Sequence, residues 1–172
     1  AVVLSHAHID HIGALPLLVL KGFRGSIYGT PATIEIARFM LRDSGHIQES
    51  DASFWNRHHG ERDWIAPLYS VADAEAVDDH FVALPYHERR EVAPGCVVEL
   101  LEAGHILGSA IIRADITEGA ATHRVTYTGD LGRSVLPIIR APERFEETDT
   151  ITCERTYGDR RHAAFTDGNA DM

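Results

Sequence analysis

The sequence predicts an α/β sandwich, a fold in which β-structure carries helices packed on its faces. Three observations give that class. Strand-like and helix-like runs alternate through the first half of the 172 residues, strand-like runs dominate from Val92 onward, and glycine marks the turns between them. A composition of 44% apolar and 24% charged residues is that of an ordinary globular chain with enough apolar side chains for one sizeable core. There is no internal repeat and no low-complexity tract.

The elements follow in order. "AVVLSH" is a short β-branched run that reads as a buried strand, and "IGALPLLVL" reads as a helix opening on the Asp10 side. "SIYGT" is a second strand. "TPATIEIARFMLRDSGHIQ" carries a helix-start signature, with Thr30 as N-cap, Pro31 at the first helical position and Glu35 in the first turn. Ile34, Ala37, Met40 and Leu41 then recur at helical spacing. From Glu49 to Pro67 the chain is polar and aromatic without period, and the tandem His58-His59 beside Arg57 and Arg62 reads as a solvated loop. "SVADAEAVDDHFVAL" reads as a further helix capped by Ser70. "GCVVELLEA", "SAIIRADIT" and "HRVTYTG" are strands, joined through Gly104 to Gly108 and Glu118 to Ala121, and "DTITCE" is the last strand.

The chemistry begins in "SHAHIDHIGALP", which sets His6, His8, Asp10 and His11 within six positions. An H-x-H-x-D-H pattern arises by chance in about 3 of 1000 chains of this composition. At a strand end, the two-residue period turns His6 and His8 to one face, where they can chelate one ion. Asp10 and His11 follow as the chain turns, offering a second set of donors. "AGHILGSA" and "VTYTGDLG" place His105 and Asp130 at two further strand ends, where α/β sheets gather their sites. Imidazole and carboxylate without thiolate suit zinc, with manganese or iron as alternatives, and a carboxylate such as Asp130 can bridge two ions. A pair of ions roughly 3.5 to 4 Å apart can activate a water for hydrolysis. His46, His58, His59, His80, His87, His123 and His162 fit no ligand pattern, and Arg160 and Arg161 beside Asp159 read as a surface group.

Several function classes are disfavoured. No apolar run approaches the roughly 20 residues of a membrane span, so no membrane association is expected. The opening residues lack the basic start and cleavage pattern of a secretion signal. Cys96 and Cys153 are far apart and form no C-x-x-C motif, which leaves a reducing cytoplasm as the expected location. The net charge is -10, and residues 43 to 102 hold 13 acidic against 4 basic side chains. Such a face repels phosphate, so this chain alone does not read as a nucleic-acid surface. The acidic stretch lacks the D-x-D-x-D-G pattern of a calcium loop.

"SHAHIDHIGALP", "DSGHIQESDA", "AGHILGSA", "YTGDLGR" and "ERTYGDR" together resemble, in order and across nearly the whole chain, the metallo-β-lactamase superfamily and more narrowly its β-CASP RNA-processing nucleases. The resemblance implies an αββα sandwich that is partial here, lacking its first strands and the β-CASP and C-terminal parts. It would occupy residues 1–160, with 161–172 a tail or the start of a β-CASP region. It implies one zinc on His6, His8 and His105, a second on Asp10 and His11, and Asp130 bridging them. Manganese is the alternative metal. By the same analogy a hydroxide held between the ions attacks an RNA phosphodiester, Asp10 holds or deprotonates the water, and Glu154 orients a catalytic histidine further on. An aspartate from an earlier D-C-G stretch, the general-acid histidine and a last ligand histidine are expected outside residues 1–172. The chain itself is then expected to bind one zinc well and a second weakly, with poor RNA hydrolysis. RNA would be engaged through domains beyond it, and a homo-oligomer is left open. Arg155 departs from the small hydroxyl residue the family usually carries after the glutamate. The rival readings are a thioester, lactone or β-lactam hydrolase of the same superfamily and a non-catalytic scaffold paralogue in an RNA-processing complex.

Overall fold

A computed structural model of the chain describes residues 1–59, 63–133, 138–145, 147–156 and 158. Two sheets stack on one another. The first has three parallel strands in the order β1 (Val2–Val3), β2 (Ile27–Gly29) and β3 (Phe81–Ala83), with Val2 opposite Ile27 and Ile27 opposite Phe81. Parallel neighbours need crossovers, and helices supply them. The helices α1 (Ile9–Ile12) and α2 (Leu15–Leu20) join β1 to β2, and α3 (Pro31–His59) with α4 (Val71–Glu75) joins β2 to β3. The second sheet runs β4 (Arg90–Ala93), β5 (Cys96–Glu102), β6 (Ala110–Glu118), β7 (Ala121–Tyr127) and β8 (Thr150–Thr152). Its neighbours are antiparallel except β7 and β8, which are parallel.

Alternation along the short parallel strands separates two cores. Val2 and Ile27 face the helices, packing with Ile12, Leu15, Ala37, Leu41 and Val77, while Val3 and Tyr28 face the second sheet with Leu84, Val98, Leu100 and Ala110. The outer face of the second sheet carries Leu101, Ala103 and Ile111 against Leu131 and Phe145. Among the described residues every helix precedes Phe81, so the layers run helices, three-stranded sheet, five-stranded sheet. This is three layers of the expected αββα sandwich, and the α/β class holds. No helix among the described residues is long and apolar enough to cross a membrane. Cys96 and Cys153 are both free thiols.

Several element boundaries differ from the sequence reading. The first helix is two helices, because the chain turns at Gly13-Ala14 and Pro16 suits only a first turn, where its missing N–H is no loss. Helix α3 runs on to His59, so the stretch from Glu49 and the His58-His59 pair are helical and not a loop. There the His58 and His59 Nδ1 atoms lie against the carbonyls of Phe54 and Trp55 one turn back. The Ser70 cap is present as a full capping box with Asp73, yet α4 gives way at Ala76 to a 3-10 turn ending at His80. The following Phe81–Ala83 pairs with β2 as a strand. Strand β4 precedes the first strand read in this region. Arg160, Arg161, His162 and the 161–172 segment lie outside the described residues, as does Arg62.

Candidate metal centre

Four segments deliver the site. His6 and His8 follow β1 in extended backbone, Asp10 and His11 lie on α1, His105 sits in the turn between β5 and β6, and Asp130 follows β7. The last two come from the second sheet, so both sheets contribute to one cluster.

Serine and glycine hold these segments together. The Ser5 carbonyl accepts from Ala110 N–H at 2.6 Å, which ties the end of the His105 turn to the residue before His6. Gly129 has φ +57, and a Cβ there would come within 2.8 Å of the Ser5 Cβ; only glycine lets the Asp130 loop approach so closely. The His105 turn is closed by Ser109, whose Oγ accepts from the amides of His105 at 3.0 Å and Ile106 at 3.3 Å. Its other side rests on α3: the Thr30 and Thr33 hydroxyls donate to the Gly108 carbonyl at 2.7 and 2.8 Å. Ser5, Ser109 and Thr33 escaped the sequence reading, and Thr30 was read only as the helix cap, which it is, its Oγ1 accepting from the Thr33 amide at 3.1 Å. Their partners are set by the fold, and only the adjacency of Ser5 to His6 hinted at a role.

The ring nitrogens converge. His8 Nδ1 lies 3.0 Å from His6 Nε2 and 3.1 Å from His105 Nε2, and Asp130 Oδ2 lies 3.8 Å from His6 Nε2 and 3.6 Å from His105 Nε2. These four donor atoms fall within 4.8 Å of one another. A second group adjoins them, with His11 Nε2 3.5 Å from Asp130 Oδ1 and 3.6 Å from Asp10 Oδ2. The two Asp130 oxygens therefore face different groups. Asp10 is the open edge, its side chain 74% exposed, whereas the His6 side chain is fully buried.

The electrostatics suit a cation. Burial first, and then the imidazoles of His11, His8 and His105, push His6 from 6.5 down to about 3 against the pull of Asp10. His105 is also lowered, chiefly by burial. Both rings are thereby neutral at pH 7, which leaves lone pairs for a ligand. With His6 Nε2 turned to an ion, Nδ1 would carry the proton and donate to Ser5 Oγ, 3.2 Å away. Three clustered imidazoles and a carboxylate, the innermost ring held uncharged, make a donor set that fits a divalent ion such as zinc.

Glu154 is not among the clustered donors, although its charge acts on His105. Its carboxylate accepts from the Leu131 amide at 2.9 Å and the Thr156 amide at 3.3 Å. These bonds, the Leu131 one foremost, hold its pKa below the ordinary carboxylate value against the effect of burial. His80 is structural, with Nδ1 2.8 Å from the Gly25 carbonyl, and His123 Nε2 meets Thr150 Oγ1 at 2.9 Å.

The sequence model of a family described as metallo-β-lactamase superfamily domain matches residues 1–128. Among curated proteins the chain is similar to transcription termination factor FttA of Thermococcus kodakarensis, 35% identical over 160 residues that make up 92% of this chain and 22% of that protein. It is similar to FttA of Methanothermobacter thermautotrophicus at 34% over 160 residues, 92% of this chain and 23% of that protein. Ribonuclease TTHA0252 of Thermus thermophilus is 31% identical over 165 residues, 96% of this chain and 33% of that protein. The chain thus spans between about a fifth and a third of the length of these relatives.

Proposed function

Because the chain belongs to the metallo-β-lactamase superfamily, in its β-CASP branch, we propose that the protein carrying it is a metal-dependent nuclease that hydrolyses RNA phosphodiester bonds. The observation that carries this reading is the convergence of His6 Nε2, His8 Nδ1, His105 Nε2 and Asp130 Oδ2, with the second Asp130 oxygen turned to His11. His6, His8, His105 and Asp130 would hold one ion, and Asp10, His11 and Asp130 would contribute to a second. Zinc suits this thiolate-free set, with manganese as the alternative. When bound, such ions lower the pKa of water and offset charge that grows on phosphate oxygens.

The chain's own residues then have separable roles. Ser5 fixes the His6 tautomer, the Ser109 turn aims His105, and Asp10, being exposed beside the cluster, is placed to hold the attacking water or take its proton. Glu154, which the resemblance assigns to orienting a catalytic histidine outside this chain, uses its two oxygens among the described residues on Leu131 and Thr156. RNA as substrate is supported by the ribonuclease name of one relative and the transcription termination name of others. With a net charge of -10, the chain leaves most phosphate contacts to other parts of the protein. Two free cysteines fit a reducing compartment, and the cytoplasm is the proposed location.

Metal analysis of the purified protein tests the centre, with bound zinc in the wild type and its loss in His105→Ala as the expected result. Cleavage of a labelled single-stranded RNA should stop on chelation and return with zinc or manganese. Asp10→Ala should slow cleavage by about 100-fold or more. A wild type without bound metal, indifferent to the His105 change, would exclude the centre. Metal-loaded protein that leaves RNA intact would exclude the substrate.

A further inference from the structure

Asp130 is shared by both donor groups, and the backbone just after it is fastened by groups outside the donor set. Strands β7 and β8 run parallel, with Tyr127 opposite Thr152, so their ends emerge side by side. β7 delivers Thr128, Gly129 and Asp130; β8 delivers Cys153 and Glu154. Thr128 N–H donates to the Thr152 carbonyl at 3.0 Å, and Glu154 N–H reaches Thr128 Oγ1 at 3.4 Å. Glu154 then reaches forward: one carboxylate oxygen accepts from the amide of Leu131, directly after Asp130, at 2.9 Å, and the other from Thr156 at 3.3 Å. The amide of Gly132 donates to the Ala103 carbonyl at 2.9 Å, at the entrance to the His105 turn. The two amides after Asp130 are thus fastened to different strand ends.

We infer that Glu154 is a positioning residue for the metal centre, holding the Asp130 loop through the Leu131 amide so that each Asp130 oxygen faces one donor group. The inference rests on the proposed metal centre and adds a function inside this chain for a carboxylate otherwise assigned to a histidine elsewhere. A carboxylate that accepts backbone N–H bonds is a strong anchor, because such bonds are charge-assisted. Reach matters as much as charge. An aspartate at 154 would keep the charge but shorten the arm by one methylene, whereas a glutamine would keep the arm and an acceptor oxygen while losing the charge.

Cobalt(II) serves as the probe, since its visible spectrum reports coordination and its affinity follows from competition with a chelator. Glu154→Ala and Glu154→Asp are expected to weaken cobalt binding by about 10- to 100-fold and to alter the spectrum, as losses of groups that orient metal ligands do. Glu154→Gln should recover most of the affinity and the wild-type spectrum. In an Asp130→Ala background, Glu154→Ala should add little, because the group it acts through is gone. Wild-type affinity and spectrum in Glu154→Asp, with metal lost from His105→Ala, would overturn the inference and leave the centre standing. A Glu154→Ala penalty undiminished in the Asp130→Ala background would overturn it too. Metal retained by His105→Ala would remove the centre and the inference together.

Discussion

At the scale of single residues, His6 holds the most chemical information. It is fully buried, its Nδ1 lies against Ser5 Oγ, and its Nε2 faces the His8 imidazole and Asp130. In the metal-free protein its pKa lies near 3, against 6.5 for an unperturbed imidazole, so between those values the unfolded chain binds a proton that the folded chain does not. Stability from this source is complete above about pH 6.5 and is lost as pH falls toward 3. His105, lowered chiefly by burial, adds in the same direction. Metal-free wild type should therefore lose melting temperature on acidification below 6.5 more steeply than His6→Leu, and parallel pH profiles would refute the assignment. The cluster was legible because its members carry recognisable chemistry: the H-x-H spacing, the glycines around His105 and the strand end at Asp130 are all local signals. The partners that fix them were not. Ser109 and Thr33 are ordinary residues until the fold places one under the His105 amide and the other under the Gly108 carbonyl.

At the scale of elements, the contact between the start of α3 and the His105 turn links helix and site. Gly108 has φ +84, and a Cβ there would lie 2.6 Å from Thr33 N and 2.7 Å from Thr30 Oγ1. Gly108→Ala should cost about 1–3 kcal/mol from backbone strain alone, before the turn moves to relieve the clash. Displacement of the turn should also weaken metal binding. Thr33→Val, which removes one donor to Gly108 and leaves the turn's backbone free of strain, should cost about 1 kcal/mol with little change in metal affinity. Thermal melts and chelator competition on the two variants check this contrast, and equal metal affinities would show that the turn's position does not matter. Element types were read where apolar periodicity and caps coincide, as at Thr30-Pro31 and Ser70. They were misread where tertiary contacts decide. Beyond Glu49 only Ala52 of α3 is buried, so the helix continues with hardly any apolar face to reveal it. Phe81–Ala83 follows a helical pattern yet becomes a strand because β2 offers a parallel edge, a pairing more than 50 residues distant in sequence. The charged Arg90 and Glu91 concealed β4, although its pairing with Val97 and Val98 is a local hairpin that turns at Pro94-Gly95, where Gly95 has φ +72.

At the scale of the whole molecule, the donors come from both sheets, so metal binding and the integrity of the stack are linked. His6, His8 and His11 belong to the β1–α1 side and His105 and Asp130 to the β5–β7 side, and between them Val3 and Tyr28 pack against Leu84, Val98 and Leu100. An unfolded chain cannot bring these groups together, so an ion that binds only the folded state stabilises the entire stack, by about 2.7 kcal/mol at a free concentration 100 times its Kd. Zinc should raise the melting temperature of the metal-free protein in a single cooperative transition, and a chelator should reverse the shift. Leu100→Ala opens a cavity between the sheets and should cost about 2–5 kcal/mol in both the zinc-loaded and the metal-free states. Leu100 is not at the site, so if the sheets hold their spacing the zinc-induced shift persists in the variant. If instead the cavity lets the sheets drift, His105 and Asp130 leave His6 and the shift shrinks with the stability. Differential scanning calorimetry of wild type and Leu100→Ala, with and without zinc, separates the two outcomes. A zinc-induced shift in the variant equal to that of the wild type is expected, because the Ser5–Ala110 hydrogen bond and the Gly129–Ser5 contact fix the two sheets together beside the site, independently of the core behind it.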